Sequence, residues 1–211
     1  MTVPLDKLAN LRYIKNSKRS WGVYIIQIET KRLYIRQLAD NDFDLMCRIW
    51  KERFPPLMLT NKTAYEDLLH GLWNEAQTSS VLTGLLFLRS DDVFCGRVNM
   101  QYIDRAVPEV GVDILRDYRN HGYGPEAVTG FVNWYGSSRC ISQIKVCISS
   151  KNAHSIHVFE KLGAEFLFEK PMFSEKIQRM REELPKDKAR IVEDIVVREY
   201  ILKLPIGISF E

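Results

Sequence analysis

Apolar residues along the chain follow two spacings, one typical of strands and the other of helices. Short alternating or continuous apolar runs bounded by polar turns predict strands at 33–38, 81–88, 93–103, 109–115, 144–148, 166–168 and 191–204. Helical spacing predicts helices that begin after Asp40 or Asn41, at the capping box Thr63–Glu66, at Pro125 and at Ala153. This order of elements predicts a mixed α/β fold built around one sheet.

Three stretches do not fit this pattern of core elements. Residues 1–20 are polar and basic, and 21–28 alternates loosely, as an extra strand, a docking arm or, more simply, a partly ordered extension would. Residues 174–190 are highly charged and predict a surface helix broken near Pro185. We therefore expect an extension at 1–28, a main domain at 29–204 with an insertion at about 171–190, and a tail at 205–211.

Length, composition and charge exclude several classes of protein. With 211 residues, 45% of them apolar and 27% charged, the chain is long enough for one full hydrophobic core. The net charge of +3 suits an anionic ligand but not nucleic acid, whose binders carry dense basic stripes. The longest apolar runs, 81–88 and 21–28, are too short to span a membrane, and no secretory signal is apparent.

The cysteines and histidines give no metal-binding pattern. The four cysteines lack Cys-x-x-Cys spacing, and the four histidines lack a ligand spacing, so we expect no metal site. Buried, reduced thiols in a cytoplasmic protein are the expected state.

A glycine-containing segment between a predicted strand and a predicted helix carries the strongest chemical signal. Its residues are Arg119, Asn120, His121, Gly122, Tyr123 and Gly124, and Pro125 after them suits the first helical position. The first N–H groups of a helix attract anions, glycines let the backbone approach closely, and Arg119 adds a donor fork suited to phosphate. These residues predict a diphosphate-binding loop, although an ordinary glycine turn with a surface arginine fits them equally well. The Walker and dinucleotide glycine patterns are both missing.

A second segment becomes informative beside the first. Asn152 follows a predicted buried strand and precedes a helix, so capping that helix is its default role. Ser155 lies one turn further on, where its hydroxyl would point to the same place. A phosphate loop followed by this Asn-x-x-Ser pair is more specific than either segment alone.

Together the two segments resemble the motifs of the GNAT superfamily of acyl-CoA-dependent N-acyltransferases. The superfamily's Gln/Arg-x-x-Gly-x-Gly/Ala is matched by Arg119, Gly122 and Gly124. The branch of the ribosomal-protein N-terminal acetyltransferases has Asn-x-x-Ser and then Glu-Lys-Leu-Gly, as at 152–163, and opens with a strand like 30–36. The resemblance implies a central, mixed, mostly antiparallel sheet whose fourth and fifth strands, here 109–115 and 144–148, splay apart around the acyl group.

The resemblance also implies which residues hold acetyl-CoA, the acyl donor. Backbone groups of Ile114, Leu115 and Arg116 would face the pantetheine arm, and the loop Arg119–Gly124 would hold the pyrophosphate. Asn152 would contact the pantetheine or its thiol end. The acceptor would be a primary amine, on a protein N-terminus or on a small molecule.

Acetylation needs a neutral amine, which makes a general base useful. A free α-amine is about a tenth neutral at pH 7, whereas lysine is neutral only at about the 10⁻³ to 10⁻⁴ level. Glu109 and Asp113 share one face of a predicted strand about 13 Å apart, too far to share a proton, and Glu109 is the first candidate base. A surface carboxylate beside Arg105 or Arg116 is the alternative role of Glu109.

The leaving thiolate gains from a proton donor, and the chain departs from the family here. Many members have a tyrosine where this sequence has Phe159, which leaves Ser155 as the candidate donor. A thiol with a pKa near 8.5 can also leave without full protonation, so positioning and backbone donors can carry much of the catalysis.

Three functions remain open on the sequence alone. They are an N-acetyltransferase that uses direct attack in a ternary complex, a non-catalytic acyl-CoA-binding or regulatory module, and an unrelated phosphate-binding protein. The acceptor is chosen in such folds by the loop at 54–61 and by late segments such as 171–190, and neither identifies an amine. The insertion also leaves a homodimer contact open.

Overall fold

The structure is a computed structural model that describes residues 26–53, 62–171 and 196–207. The strands of these ranges are β1 Gln27–Glu29, β2 Leu33–Gln37, β3 Val81–Leu88, β4 Phe94–Gln101, β5 Glu109–Ile114, β6 Gln143–Ser149, β7 Glu165–Pro171 and β8 Val196–Lys203. The helices are α1 Phe43–Arg53, α2 Lys62–Ala76, α3 Tyr123–Arg139 and α4 Ala153–Lys161, with a 3₁₀ turn at Arg116–Tyr118.

The strands form one sheet in the order β1-β2-β3-β4-β5-β6-β8-β7. All neighbours are antiparallel except β5 and β6, which run parallel. This parallel pair is in register only at Glu109 and Lys145, so the two strands separate toward their C-terminal ends. The mostly antiparallel sheet with one splayed pair, expected from the sequence, is confirmed.

The two faces of the sheet are covered differently. The α3 face is apolar, and its core joins Phe131 of α3 and Ile156 of α4 to strand residues such as Ile35, Val98 and Val146. On the opposite face, the α1–α2 face, Trp50 and Leu69 pack with Leu85 and Phe94 of β3 and β4. This second cluster covers only part of the face.

Further along the α1–α2 face, the sheet register lines up polar residues in rows. Arg97 lies opposite Leu85 on one side and Asp113 on the other, and the next row is Thr83, Asn99 and Gly111. Residues directly opposite each other in a sheet share a face, so these side chains lie on the same surface as Leu85. The part of this face nearest the splayed strands is therefore polar.

The start of α1 is held by a partly buried ion pair. Asp42 directly precedes the helix, so it occupies the capping position that the sequence assigned to Asp40 or Asn41. Its carboxylate accepts two hydrogen bonds of 2.7 Å from Arg36 and one of 2.7 Å from the N–H of Ala39. Burial acts to raise the pKa of Asp42, but these hydrogen bonds outweigh it and the pKa is lowered.

Other helix boundaries also differ from the predicted ones. α2 begins at Lys62, so Thr63 lies inside the helix and is not its cap. α3 begins at Tyr123, two residues before the predicted start, and continues to Arg139. Pro125 is tolerated as its third residue because the first four N–H groups of a helix have no intrahelical acceptor.

The main fold extends beyond the predicted domain boundaries. Ile26 and Ile28, in the stretch assigned to the N-terminal extension, are each 1% exposed, and β1 adds a strand to the sheet. Ile206, assigned to the tail, is buried, and Asn133 binds both its N–H and its C=O. The loop at 54–61, most of the predicted insertion and the predicted strand start at 191–195 lie outside the described residues. None of the described helices is long and apolar enough to cross a membrane.

Candidate functional site

The separation of β5 and β6 opens a cavity of about 660 Å³ at the C-terminal end of β5. It is lined by the end of β5, by the loop that follows, by the first turn of α3 and by α4. The predicted site residues that line it are Ile114, Arg119, Asn120, Gly122, Tyr123, Gly124, Asn152 and Ser155. The predicted residues Leu115, Arg116, His121 and Glu109 are not among its lining residues.

The loop before α3 has the backbone shape of an anion cradle. Asn120 and Gly122 both have positive φ angles, 64° and 75°, and Gly122 is the N-cap of α3. Such left-handed residues turn successive N–H groups toward one side, where they meet the positive end of the helix dipole. A Cβ at Gly122 would be strained and would lie 3.2 Å from Nη2 of Arg32, so glycine keeps this concave surface open.

A buried carboxylate below the loop fixes its position. Glu126, in the first turn of α3, is 4% exposed and accepts hydrogen bonds from Thr30 Oγ1 at 2.6 Å and from the N–H of Arg32 at 2.6 Å. Nε of Arg32 donates a third hydrogen bond to the Glu126 carboxylate, at 2.7 Å to Oε2. Nη1 of Arg32 donates to the C=O of His121 at 2.7 Å. Arg32 also stacks over the ring of Tyr123, 4.7 Å from its centroid.

Arg32 and Glu126 are functional candidates that the sequence reasoning missed. Arg32 ties the β1–β2 hairpin to the loop, which places a guanidinium beside the anion cradle. Glu126 lies two residues after the glycines, and an acidic residue in a first helical turn is already favoured by the helix dipole, so it gives no signal of its own. The partner, 94 residues away, could not be inferred from local spacing.

Arg119 was predicted to bind phosphate, but its guanidinium also bonds to other groups of the protein. Its Nε donates to the C=O of Ile114 at 2.8 Å, and its Nη2 pairs with Glu52 of α1 at 2.8 Å. Glu52 also accepts from the N–H of Arg116, at 3.0 and 3.1 Å to its two oxygens. Arg119 therefore holds the loop against β5 and α1, and its positive charge toward an anion is shared with Glu52.

At the end of β5, some peptide groups bond within the protein and others point toward the cavity. The N–H of Leu115 donates to Cys95 of β4 at 2.9 Å, and that of Arg116 is taken by Glu52. Because peptide groups alternate in direction along a strand, those of Val112 and Ile114 point toward the gap between β5 and β6. Of the three predicted residues, Ile114 is therefore the one whose N–H faces the cavity, while its C=O accepts from Arg119.

Asn152 caps α4 and borders the cavity at once. Its side-chain oxygen accepts the N–H of Ser155 at 3.1 Å, which confirms the capping role that the sequence gave it by default. Ser155 and Phe159 line the same wall, and Phe159 is 4% exposed. Tyr118, missed in the sequence, lines the cavity as well.

Glu109 lies at the closed end of the gap, on the α1–α2 face. Its carboxylate is 3.6 Å from Nζ of Lys145, and not beside Arg105 or Arg116 as the sequence alternative had it. Lys145 is also 3.8 Å from Glu199, which pairs in turn with Lys170. These four charges lie in partly buried positions where β5, β6, β8 and β7 meet. The other predicted carboxylate, Asp113, pairs with Arg97 at 2.8 Å.

The thiol of Cys147 sits inside this charge cluster. Burial raises the pKa of Cys147 to about 12, and the nearby carboxylates Glu109 and Glu199 act in the same direction. Its Sγ donates to Glu199 at 3.8 Å. The thiolate is the nucleophilic form of cysteine, so Cys147 is a poor nucleophile at neutral pH. The cysteines are not all buried, contrary to expectation, because Cys140 is exposed.

Alkylation should separate the four cysteines. We expect iodoacetamide at pH 8 to modify Cys140 first, because it is exposed, and to leave Cys95 and Cys147 intact, because burial raises the pKa of each thiol to about 12. Mass spectrometry of peptides after a time course measures this, and all four thiols should react in denaturant. Equal rates for Cys147 and Cys140 in the folded protein would contradict the raised pKa of the half-buried Cys147.

No group of three or more His, Cys, Asp or Glu side chains within the described ranges is arranged to hold a metal ion.

Comparison with known proteins fits this geometry. Residues 32–165 match the family model of the Acetyltransferase (GNAT) domain. The chain is a GNAT acetyltransferase. A curated relative, uncharacterized N-acetyltransferase p20 of Bacillus licheniformis, is 23% identical over 145 residues, which are 64% of this chain and 79% of the relative. The resemblance seen in the sequence is thereby confirmed.

Solved GNAT structures share the fold at low sequence identity. RimL, a ribosomal L7/L12 alpha-N-protein acetyltransferase in complex with coenzyme A, matches with a TM-score of 0.62 and 11% identity over 87% of this chain and 100% of that one. A chimera of spermidine N-acetyltransferase SpeG from Vibrio cholerae and hSSAT matches with a TM-score of 0.59 and 13% identity over 81% and 95%. GNAT folds therefore serve different amine acceptors.

The residues of this GNAT chain fit coenzyme A. Gly122 keeps free the concave surface that a Cβ would fill, and the first turn of α3 presents its positive end there. Val112 and Ile114 turn peptide groups toward the gap, as an extended pantetheine arm requires. The diphosphate would lie on the loop and the arm between β5 and β6.

Proposed function

We propose that this GNAT chain transfers an acetyl group from acetyl-CoA to a primary amine, on a protein N-terminus or a small molecule, by direct attack in a ternary complex. The observation that carries the proposal is the splayed gap between β5 and β6 with an anion cradle at one end. The cradle suits the diphosphate and the gap suits the arm that carries the acetyl group. Acetyl-CoA supplies an activated thioester carbonyl there.

In the proposed step the neutral amine nitrogen attacks the thioester carbonyl carbon. The N–C bond forms, the C–S bond breaks, and the sulfur leaves as thiolate or thiol. The amine loses one proton, which must pass to a base or to water. Direct attack is favoured over an acyl-cysteine intermediate because the raised pKa of Cys147, the thiol nearest the closed end of the gap, keeps it protonated.

Two residues are proposed to move protons. Glu109 lies on the α1–α2 face at the closed end of the gap, where it can take the amine proton directly or through water. Ser155 lies on the cavity wall next to Phe159, and its hydroxyl is proposed to protonate the leaving sulfur. Tyr118 and Tyr123 are the other hydroxyl-bearing residues that line the cavity.

Release of free thiol from acetyl-CoA tests the function. A panel of peptides with free N-termini, polyamines and aminoglycosides is incubated with the protein, acetyl-CoA and a thiol reagent. Amine-dependent thiol release that grows with enzyme concentration supports the proposal. Binding of coenzyme A without turnover of any amine would instead favour a non-catalytic acyl-CoA-binding module, which Phe159 in place of a tyrosine motivates.

Substitution of the proton-transfer residues should lower kcat more than it changes coenzyme A binding. We expect Ser155→Ala and Glu109→Gln each to lower kcat by about 100-fold at pH 7, the lower end of the range for general acid–base catalysis. The Glu109→Gln deficit should shrink at higher pH, where more of the amine is neutral. Tyr118→Phe is the matched control for Ser155→Ala, and a larger loss in that control would transfer the role of proton donor to Tyr118.

We further propose a cytoplasmic location, supported by the four free cysteines, which suit a reducing compartment. Cell fractionation tests this. A homodimer is a second proposal, and sedimentation of the full chain measures it.

A further inference from the structure

We propose that the carboxamide of Asn99, backed by the hydroxyl of Thr83, binds the acceptor amine on the α1–α2 face of the sheet. The inference rests on the proposed function, since it places the second substrate of the same reaction. It also selects a class of acceptor: an amine with a neighbouring carbonyl, as in a peptide N-terminus, in preference to a polyamine.

Position is the first argument for Asn99. Thr83, Asn99 and Gly111 lie opposite one another on β3, β4 and β5. Gly111 is two residues beyond Glu109, so it belongs to the part of β5 that has already separated from β6. α3 and α4 fill the other face, and the α1–α2 cluster runs from Leu85 and Phe94 to Leu115 without including any of the three residues of this row. An acyl group in the gap is therefore reached from the face that carries Asn99.

Space is the second argument. An ideal Cβ on Gly111 would lie 2.7 Å from Oδ1 of Asn99, closer than real Cβ contacts allow. The missing side chain of Gly111 therefore lets the Asn99 carboxamide lie across β5 toward the gap. Any larger residue at position 111 would push the carboxamide away.

Unused hydrogen-bonding capacity is the third argument. Asn99 and Thr83 are each only 3% exposed. Oγ1 of Thr83 has no hydrogen-bond partner, and among the described residues the Asn99 carboxamide takes part in no side-chain hydrogen bond. Buried polar groups are normally paired, so the hydroxyl of Thr83 is left at a cost in free energy, whereas the Asn99 carboxamide is not among the fully buried unpaired groups. A substrate that accepts from and donates to these groups would satisfy both.

The surrounding charges decide the class of acceptor. The carboxylates that flank the row are already paired, Asp113 with Arg97 and Glu109 with Lys145. They offer little net negative charge to a polycation. A carboxamide accepts an N–H from an amine and donates to a carbonyl, which matches the α-amine and first carbonyl of a peptide.

The experiment compares a hexapeptide with a free N-terminus and neutral side chains against spermidine, with acetyl-CoA and a thiol reagent. We expect turnover with the peptide to exceed that with spermidine. Asn99→Ala should raise the KM for the peptide by about tenfold, the effect of one buried hydrogen bond, with kcat lowered less. Gly111→Ala should have the same effect because it displaces the carboxamide, and Asn99→Ser should restore part of the affinity.

Binding of coenzyme A, measured by calorimetry, should stay unchanged in all three variants, which also shows that they are folded. A wild-type protein that acetylates the peptide while Asn99→Ala keeps its KM would overturn the inference and leave the proposed function intact. Higher turnover with spermidine would overturn the acceptor class. A wild-type protein that binds coenzyme A and acetylates neither amine would overturn this inference, and the proposed function falls with it only if the whole panel of amines is also inert.

Discussion

Replacement of Gly122 by aspartate should weaken coenzyme A binding by about 100-fold. Gly122 has a φ of 75° at the start of α3, and a carboxylate there would project into the anion cradle. Two charges about 4 Å apart repel by about 1 to 4 kcal/mol between water and a protein surface, so a hundredfold loss lies within that range. The new carboxylate would also lie beside Nη2 of Arg32 and neutralise it, since a Cβ at this position is 3.2 Å away.

Gly122→Asn is the matched control, because asparagine has nearly the same shape, tolerates left-handed backbone and carries no charge. Calorimetry with coenzyme A should give a Kd less than about tenfold weaker for this control. Pantetheine, which lacks the diphosphate, should bind both variants alike. Equal coenzyme A affinities of Gly122→Asp and wild type would show that the diphosphate lies elsewhere.

Removal of the Arg32 side chain should destabilise the whole fold. The carboxylate of Glu126 is 3% exposed and would lose its only paired guanidinium among the described residues. Breaking a buried pair costs about 3 to 5 kcal/mol, and we expect about 3 kcal/mol for Arg32→Ala because Arg32 is itself partly in solvent. For a chain of this length that corresponds to a fall in Tm of about 6 to 12 °C. Coenzyme A binding should weaken as well, because Arg32 also holds the C=O of His121.

Arg89→Ala is the matched control on the neighbouring strand turn. Its side chain is 43% exposed, the same fraction as that of Arg32, but its partner Glu29 is 40% exposed. Such a surface pair contributes about 0 to 1 kcal/mol, so Tm should change little. The double variant Arg32→Ala, Glu126→Gln should recover part of the loss, because no buried charge is then left unpaired. An Arg32→Ala protein that melts like Arg89→Ala would rule out the buried pair as an anchor of α3.

The sequence predicted best those parts of the candidate site that are formed by residues adjacent in the chain. The glycine loop, the asparagine cap and the strand before them are local features, and backbone preferences over a few residues decide them. Helix ends were less well predicted: α3 starts at Tyr123 because Gly122 takes the capping position, and not Gly124, which a start at Pro125 would require. Both residues satisfy the local rules, so spacing alone could not choose between them.

Side chains that act across the sheet were not predictable in the same way. Arg119 offered a phosphate fork in the sequence, but Glu52 on α1 takes part of it, 67 residues away. Glu109 had two plausible arginine partners nearby, and the parallel register with β6 gave it Lys145 instead. Asn99 showed no signal at all until its register with Gly111 placed it beside the gap.

The sequence by itself determined the order of elements, the family and the loop that suits a diphosphate, because each follows from short-range patterns of apolar spacing, glycine and capping residues. Only the tertiary structure decided which charges are paired, which polar groups stay unpaired and which face of the sheet opens toward the acyl group. These depend on strand register and on contacts between residues far apart in the chain, and no local preference specifies either.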